Sequence, residues 1–252
     1  MDVVYKIPQE SPDYRECSQF AVEHIGTIMR DAIEQGRNRI FIRTNLKRGL
    51  PLENINKVAG PFVEAWAVEQ FELISENAAN PYRLMNVQAG KKLEVFDVIL
   101  QFKRTNGSYA SANVDVKATA EDIVKAGKNP NITSFRIIRT EYLNDPDFLF
   151  IILSLKHRVY SEKGAEDGMT NGIMEVRAYN VYDLKHVGVA DICYNRALGT
   201  GQIQIRDIQY VTIEPRTTWE FLQLLDAKCI RSKGEDAWLR LARKYKWIKE
   251  AA

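Results

Sequence analysis

The stretch LEVFDVILQFKRTNGSYASANVDVKAT, residues 93–119, decides the fold of this chain. It predicts a β-hairpin, because residues 95–102 and 113–119 are rich in branched and aromatic residues and Asn106-Gly107 is a turn sequence. Apolar and polar side chains alternate along both predicted strands, and alternate side chains of a strand point to opposite faces. Each strand therefore has one apolar face and one polar face.

Three charged side chains lie on the polar faces, Asp97 on the first strand and Asp115 and Lys117 on the second. If the two faces coincide, two carboxylates and an ammonium group converge, as metal-assisted phosphodiester hydrolysis requires. Mg²⁺ takes one or two carboxylates together with water and phosphate oxygens, so Asp97 and Asp115 are the predicted ligands. The lysine can orient or help deprotonate the attacking water and can offset charge on the phosphate. Because an amphipathic strand can contain Asp-x-Lys by chance, a solvated strand face stays open as the alternative.

Two helices are predicted before the hairpin. Residues 14–34 show helical spacing of apolar residues, and a second helix is predicted to open at Gly60-Pro61, where the missing N–H of proline costs nothing. Glu64 borders the apolar face of the second helix and is the candidate for a carboxylate directed inward, with an ordinary surface glutamate as the alternative. The predicted apolar face consists of Phe62, Val63, Trp66, Ala67, Phe71, Leu73 and Ile74.

Composition bounds the class of protein. The 252 residues are 45% hydrophobic and 27% charged, which is typical of a globular protein able to bury a core. No apolar run approaches the roughly 20 residues of a membrane span, and the first residues lack the pattern of a signal peptide, so cytoplasmic residence is expected. Three scattered cysteines indicate neither a disulfide framework nor a cysteine metal site. A net charge of +2 neither demands nor excludes DNA binding.

Two polar stretches are candidates for contact with DNA, the first from Lys125 to Ser134 and the second from Thr200 to Gln204. Lysine and the amide and hydroxyl side chains can reach phosphates and base edges. Plain loops, or a hairpin loop for the second stretch, are the alternatives. In the first, residues 131–135 predict a helix or turn. The second contains two glycines that permit close backbone approach. The candidates are Lys125, Lys128, Asn131, Thr133, Ser134, Thr200, Gly201, Gln202 and Gln204.

Several motifs together resemble a known enzyme family. Asp97 followed by Asp115-x-Lys117 on a neighbouring strand resembles the PD-(D/E)xK nuclease motif, although Phe96 stands where that family usually has proline. The sequences TNLKRGLPLENINKVAGP, VDVKAT, NITSF, VYDLK and ALGTGQIQI resemble the Type II restriction endonucleases of the HpaI type, which cut the palindrome GTTAAC bluntly. The resemblance covers most of the chain.

The resemblance implies an α/β (α+β) restriction-endonuclease-like core, a mixed central sheet flanked by helices with smaller recognition and dimerisation elements. It implies one endonuclease domain over residues 1–252, with the catalytic core at about 53–155, recognition elements at about 120–136 and 195–212, and a helical C-terminal segment at about 217–250.

The resemblance also implies roles for particular residues and partners. Asp97, Asp115 and Val116 would hold Mg²⁺, Asp97, Asp115, Lys117 and Glu64 would be catalytic, residues 199–204 would be the recognition loop, and Gln88 would lie near the minor groove. A homodimer would cut double-stranded DNA and leave 5′-phosphates. Pairing with a DNA methyltransferase in the cell is left open.

The sequence is compatible with three functions. A sequence-specific DNA endonuclease is the leading hypothesis. A nicking or repair nuclease on the same fold is the second, and a non-catalytic DNA-binding or interaction protein with an incidental Asp-x-Lys is the third.

Overall fold

The computed structural model describes residues 3–43, 45, 52–77, 79–90, 94–121, 129–163, 170–197 and 199–250. The helices are α1 (Tyr14–Glu34), α2 (Leu52–Ser75), α3 (Phe135–Asn144), α4 (Thr218–Lys233) and α5 (Glu235–Lys244). The strands are β1 (Val3–Tyr5), β2 (Arg39–Ile42), β3 (Leu84–Ala89), β4 (Val98–Lys103), β5 (Tyr109–Ala120), β6 (Asn131–Ser134), β7 (Phe150–Lys163), β8 (Thr170–Asp183), β9 (Ile192–Asn195), β10 (Gln202–Ile205) and β11 (Ile248–Glu250). Among the described residues, no helix is long and apolar enough to cross a membrane.

The chain forms two compact units. The first unit comprises Met1–Glu16, Lys128–Phe150 and Asp183–Ala252, and the second comprises Cys17–Gly127 and Ile151–Tyr182. The prediction of a single domain with the boundaries given above stays a prediction.

The second unit is built on a six-stranded sheet with the order β2-β8-β7-β5-β4-β3. Its last three strands, β5, β4 and β3, pair antiparallel. Helix α2 packs against β3 and β5, and α1 contributes buried side chains at Ile25, Ile28 and Met29. The predicted fold class, a mixed sheet flanked by helices, is confirmed.

The hairpin predicted within residues 93–119 is present with changed bounds. Gly107, with φ of +88°, makes the predicted turn, and the side chains of Val98, Leu100 and Phe102 are buried on one face as predicted. The first strand begins at Val98 rather than at residue 95, so residues 95–97 form a bend that precedes it. The second strand is longer than predicted, because it extends to Tyr109 and Ala120.

Two predictions for α2 are wrong. The helix begins at Leu52, so Pro61 lies inside the helix and not at its first turn. A proline there costs about 3 kcal/mol through its lost hydrogen bond and steric clash, and the packing of α2 on the sheet outweighs this cost. Phe62 and Leu73, which were predicted to be buried, are 47% and 56% exposed, so the apolar face is narrower than the helical pattern suggested.

The first unit contains a three-stranded sheet with the order β6-β10-β9 and a two-stranded sheet formed by β1 and β11. Helix α4 packs against α3, α5 and β9. A buried ion pair joins α3 to α4, since Arg139 donates two hydrogen bonds of 2.9 Å to the carboxylate of Asp226.

Two further predictions in the first unit are wrong. Residues 131–134 form a strand rather than a helix or turn, because β10 supplies the pairing partner that the local sequence does not indicate. The C-terminal segment, which was predicted to be helical, ends in the strand Ile248–Glu250, because β1 supplies the antiparallel partner.

Candidate functional site

Four predicted catalytic residues lie together in the second unit. Asp97 occupies the bend before β4, Asp115 and Lys117 lie in β5, and Glu64 lies in α2. The charges of Asp97 and Glu64 both act on Asp115, and the charges of Asp97 and Lys117 both act on Glu64. We name these four residues the Asp–Lys cluster.

The position of Asp97 is fixed by its main chain and its carboxylate. Its amide donates to the carbonyl of Val114 at 2.9 Å, and its carbonyl accepts from the amide of Gly90 at 2.7 Å. Its Oδ2 atom accepts a hydrogen bond of 2.7 Å from the amide of Val116. The carboxylate thereby takes the place of a backbone acceptor beside β5, and this directs its charge towards Asp115.

Gly90 was not among the predicted site residues, yet it determines where Asp97 lies. A Cβ atom on Gly90 would overlap the carbonyl oxygen of Phe96 and crowd that of Asp97. A glycine at the end of a strand is a sign of close backbone approach, and this sign is present in the sequence. Only glycine lets β3 pass this close to the bend that carries Asp97.

Asp115 and Lys117 form an ion pair along β5. Residues two apart on a strand share a face, and here the Lys117 Nζ atom lies 2.6 Å from Asp115 Oδ1. Asp115 is only 4% exposed, whereas a quarter of the Lys117 side chain remains exposed. The lysine therefore compensates the buried charge and can still reach a substrate group from solvent.

The cluster carries more negative charge than its lysine neutralises. The pKa of Asp115 is raised to about 7, mainly by burial; the charges of Asp97 and Glu64 contribute to this rise, and Lys117 opposes it. Burial also raises the pKa of Glu64, with the charge of Asp97 adding to the shift and that of Lys117 opposing it. A cation bound among these carboxylates would relieve their repulsion.

Because of this excess negative charge, we expect the stability of the metal-free protein to depend on pH through Asp115. The unfolded Asp115 carboxyl titrates near pH ~3.9, so the folded chain binds an extra proton between about pH 4 and 7 and loses stability as pH rises through that window. Asn at this position carries no charge to bury. In EDTA at about pH 8, Asp115→Asn should have a melting temperature a few degrees above that of the original protein, and the gap should narrow below about pH 7 and close by about pH 4. A gap in melting temperature that is independent of pH would contradict this reading of Asp115.

The donor set fits a hard divalent cation. Asp115 Oδ2 is buried and has no hydrogen-bond partner among the described residues, although its other oxygen binds Lys117. No group of three or more His, Cys, Asp or Glu side chains that could hold a metal ion is found in the described part of the chain. Mg²⁺ nevertheless needs only one or two carboxylates, because water and phosphate oxygens complete its shell. Val116 could add only its main-chain oxygen.

Seven of the predicted DNA-binding residues lie in or beside the three-stranded sheet of the first unit. They are Asn131, Thr133, Ser134, Thr200, Gly201, Gln202 and Gln204. Antiparallel pairing of β10 with β6 places Gln202 opposite Ser134 and Gln204 opposite Asn131. The structure thus joins two stretches that are far apart in the sequence.

The sheet has a buried face and a polar face. Ile203 and Ile205 are buried, so the alternating Gln202 and Gln204 lie on the other side, where both are partly exposed. The Nε2 atom of Gln204 donates to Asn131 Oδ1 at 2.8 Å. Thr133 differs from the other candidates, because it is 7% exposed and pairs with Ile203, so contact with DNA has the least support there.

The turn before β10 is held by residues that were not predicted. Tyr194 Oη donates to the carbonyl of Thr200 at 2.6 Å, and Lys233 Nζ donates to the carbonyl of Gly199 at 3.0 Å. Gly201, with φ of +109°, lies against the ring of Tyr194, where a Cβ atom would overlap the ring. The local sequence gives no sign of these contacts, because Tyr194 and Lys233 act from β9 and α4.

The remaining predicted DNA-binding residues are not part of this sheet. Gln88 is exposed on the edge strand β3 of the second unit, opposite Ile99 of β4. Lys125 and Lys128 lie outside the described residues.

Comparison with known proteins identifies the family. The profile of the family described as Type II restriction endonuclease HpaI matches residues 1–246. The Type II restriction enzyme HpaI of Haemophilus parainfluenzae is 51% identical over 251 residues, which cover 99% of this chain and 98% of that protein. Among solved structures, the NlaIV restriction endonuclease superposes with a TM-score of 0.46 and 12% identity over 87% of each chain. The resemblance predicted from the motifs is confirmed, and the chain belongs to the HpaI family of Type II restriction endonucleases.

Proposed function

We propose that this chain cuts double-stranded DNA at the palindrome GTTAAC, and that the Asp–Lys cluster carries the chemistry and leaves blunt ends with 5′-phosphates. As a Type II restriction endonuclease the chain is a site-specific deoxyribonuclease, and DNA is its partner. The observation that carries the assignment of the site is the Lys117–Asp115 ion pair of 2.6 Å beside the fixed carboxylate of Asp97.

Each side chain of the cluster has a separate task. Asp97 and Asp115 would supply the negative charge that holds Mg²⁺, and the amide of Val116, next to Asp115 in β5, donates a hydrogen bond to the Asp97 carboxylate. Mg²⁺, when bound, supplies Lewis-acid stabilisation of the phosphate. Lys117 holds its ammonium group beside Asp115, where it can orient the attacking water and stabilise the charge that develops on the phosphate. Glu64 adds a partly buried carboxylate from α2.

Cutting both strands of a palindrome requires two active sites related by a two-fold axis. The described residues contain one Asp–Lys cluster, so a homodimer is the simplest arrangement that supplies two. Sedimentation of the protein with and without a GTTAAC duplex should show two chains per particle. A monomer in both conditions would contradict the homodimer.

A plasmid digest tests the proposed activity. Plasmids with known numbers of GTTAAC sites, incubated with Mg²⁺, should give discrete fragments whose sequenced ends lie at the centre of that site. Nicked circles or a smear would instead favour a nicking or repair nuclease. Intact DNA under all conditions would favour a non-catalytic binding protein. Cytoplasmic residence and a protective DNA methyltransferase stay predictions of the same proposal.

Recognition should depend on the two glutamines of β10. Gln202 and Gln204 lie on the polar face, and an amide that reads adenine in the major groove contributes about 1–3 kcal/mol of discrimination. Gln202→Ala or Gln204→Ala should therefore reduce the preference for GTTAAC over sites changed at one base pair, roughly 5- to 150-fold. Affinity for random DNA at the same salt concentration should change little.

The glutamine variants are measured by the ratio of kcat/KM on the two kinds of site. Gln209→Ala, which changes a glutamine outside β10, is the control. Equal loss of specific and random binding would show that these residues contact phosphates rather than bases.

A further inference from the structure

The polar face of the three-stranded sheet continues onto β9. In the antiparallel pairing of β10 with β9, Gln202 lies opposite Asn195 and Gln204 lies opposite Cys193. Residues directly opposite each other in such a pair share a face. Asn195 therefore extends the row that begins with Ser134 and Gln202 across all three strands.

Contacts on the other face hold β9 in this orientation. Tyr194 and Ile192 pair with the buried Ile203 and Ile205, and the Tyr194 hydroxyl reaches the carbonyl of Thr200 at 2.6 Å. Phe135 packs edge-on against the Tyr194 ring at 5.3 Å between centroids. A change of register would bring these groups to the polar face, so Asn195 is held on the side of the glutamines.

The Asn195 amide is oriented by its own turn. Its Oδ1 atom accepts a hydrogen bond of 2.9 Å from the amide of Ala197. This bond occupies the acceptor end of the side chain and leaves Nδ2, the donor end, directed away from the turn. Asn195 is partly exposed, so the donor end is accessible from outside the sheet.

We infer that Asn195 is a further specificity-determining residue, which donates through Nδ2 to an acceptor on a base edge beside the base read by Gln202. The acceptors offered in the major groove are guanine O6 and N7, adenine N7 and thymine O4. This inference rests on the proposed function, because it takes the polar face as the surface that reads DNA.

Two variants distinguish the role of the Nδ2 donor from the role of Oδ1 in holding the turn. Asn195→Asp keeps an oxygen for the Ala197 amide and removes the donor, whereas Asn195→Ala removes both. Asn106 provides a matched control, because its Oδ1 accepts from the amide of Ser108, also two residues on, at 3.0 Å in the β4–β5 turn of the second unit. Asn106→Asp thus adds the same negative charge and keeps the same kind of turn contact, but at a position away from β9.

The measurement is kcat/KM on GTTAAC and on duplexes changed at each of its half-site positions, together with affinity for random DNA. Both Asn195 variants should lose discrimination roughly tenfold, the scale of one hydrogen bond, at one position and keep it at the others. Asn106→Asp should keep discrimination at every position. Melting temperatures identify any variant that fails to fold, in which case Asn195→Ser, which retains a hydroxyl acceptor for the Ala197 amide, replaces it.

Two results would overturn the inference. Unchanged discrimination at all positions in both variants would show that Asn195 serves only the turn. Equal loss of affinity for GTTAAC and random DNA in Asn195→Ala would make it a backbone contact. If the original protein prefers GTTAAC while the variants keep that preference, only this inference falls; if the original protein shows no preferred site, the proposed function falls with it.

Discussion

Lys117→Ala is expected to reduce DNA cleavage by roughly 10³- to 10⁴-fold, the upper range for loss of a positioned proton-transfer or charge-stabilising group. The structure adds a second reason to the loss of the catalytic ammonium. Without Lys117, which opposes the shift, the pKa of the buried Asp115 would rise further from about 7, and the carboxyl would be protonated at neutral pH. A protonated Asp115 cannot hold Mg²⁺, so one substitution would impair two parts of the site.

Folding and DNA binding should survive the change at Lys117. The side chain is partly exposed, and the adjacent Val116 is fully buried and supplies the packing of β5. Binding to a GTTAAC duplex with Ca²⁺ in place of Mg²⁺ should therefore remain close to that of the original protein. Lys103→Ala, a change of an exposed lysine at the end of β4, is the control and should cut normally. Near-normal cleavage by Lys117→Ala would refute the assignment of Lys117.

Asp97→Asn is expected to abolish metal-dependent turnover, with a loss of roughly 10³-fold or more. Asparagine still offers an oxygen to the amide of Val116, so the bend before β4 should keep its geometry. What disappears is one unit of negative charge beside Asp115, and with it the affinity of the site for a divalent cation. Titration with Mn²⁺ should show weaker metal binding in the variant, while the melting temperature in EDTA stays similar or rises.

The glutamates of α2 provide the comparison for Asp97. Glu64→Gln should have a smaller effect on cleavage, because Glu64 approaches the cluster from a neighbouring helix, whereas a hydrogen bond from the main chain of Val116 fixes the carboxylate of Asp97. Glu72→Gln changes an exposed glutamate of the same helix and should have no effect. If Asp97→Asn cuts as well as the original protein, Asp97 serves only to hold the amide of Val116.

Local sequence was a good guide where local physics sets the structure. The helix Tyr14–Glu34 was predicted with the observed bounds, because its apolar residues recur at helical spacing over six turns. The hairpin turn at Asn106-Gly107 was also predicted, since Gly107 adopts a positive φ that favours glycine. Boundaries were less reliable, as the strand that begins at Val98 shows. There the carboxylate of Asp97 replaces the main-chain acceptor for the Val116 amide, and the sequence pattern gives no sign of it.

Predictions failed where distant residues outweigh local preference. Asn131-Ile-Thr-Ser is polar and rich in turn-forming residues, yet it is a strand because β10 pairs with it. Pro61 lies inside α2 because the packing of that helix on β3 and β5 compensates for the lost hydrogen bond.

The sequence by itself indicated the family, through motifs that resemble it. It also predicted Asp97, Asp115 and Lys117 as site residues, because a strand's two-residue period and an 18-residue spacing are visible along the chain. Only the tertiary structure decided that Asp115 is buried, that Glu64 acts on the same carboxylates, and that Gly90 and Tyr194 fix the bend and the turn. It also decided that Ser134, Gln202 and Asn195 form one row. The physical reason is that burial and strand pairing depend on residues far apart in the chain, whose approach no local pattern records.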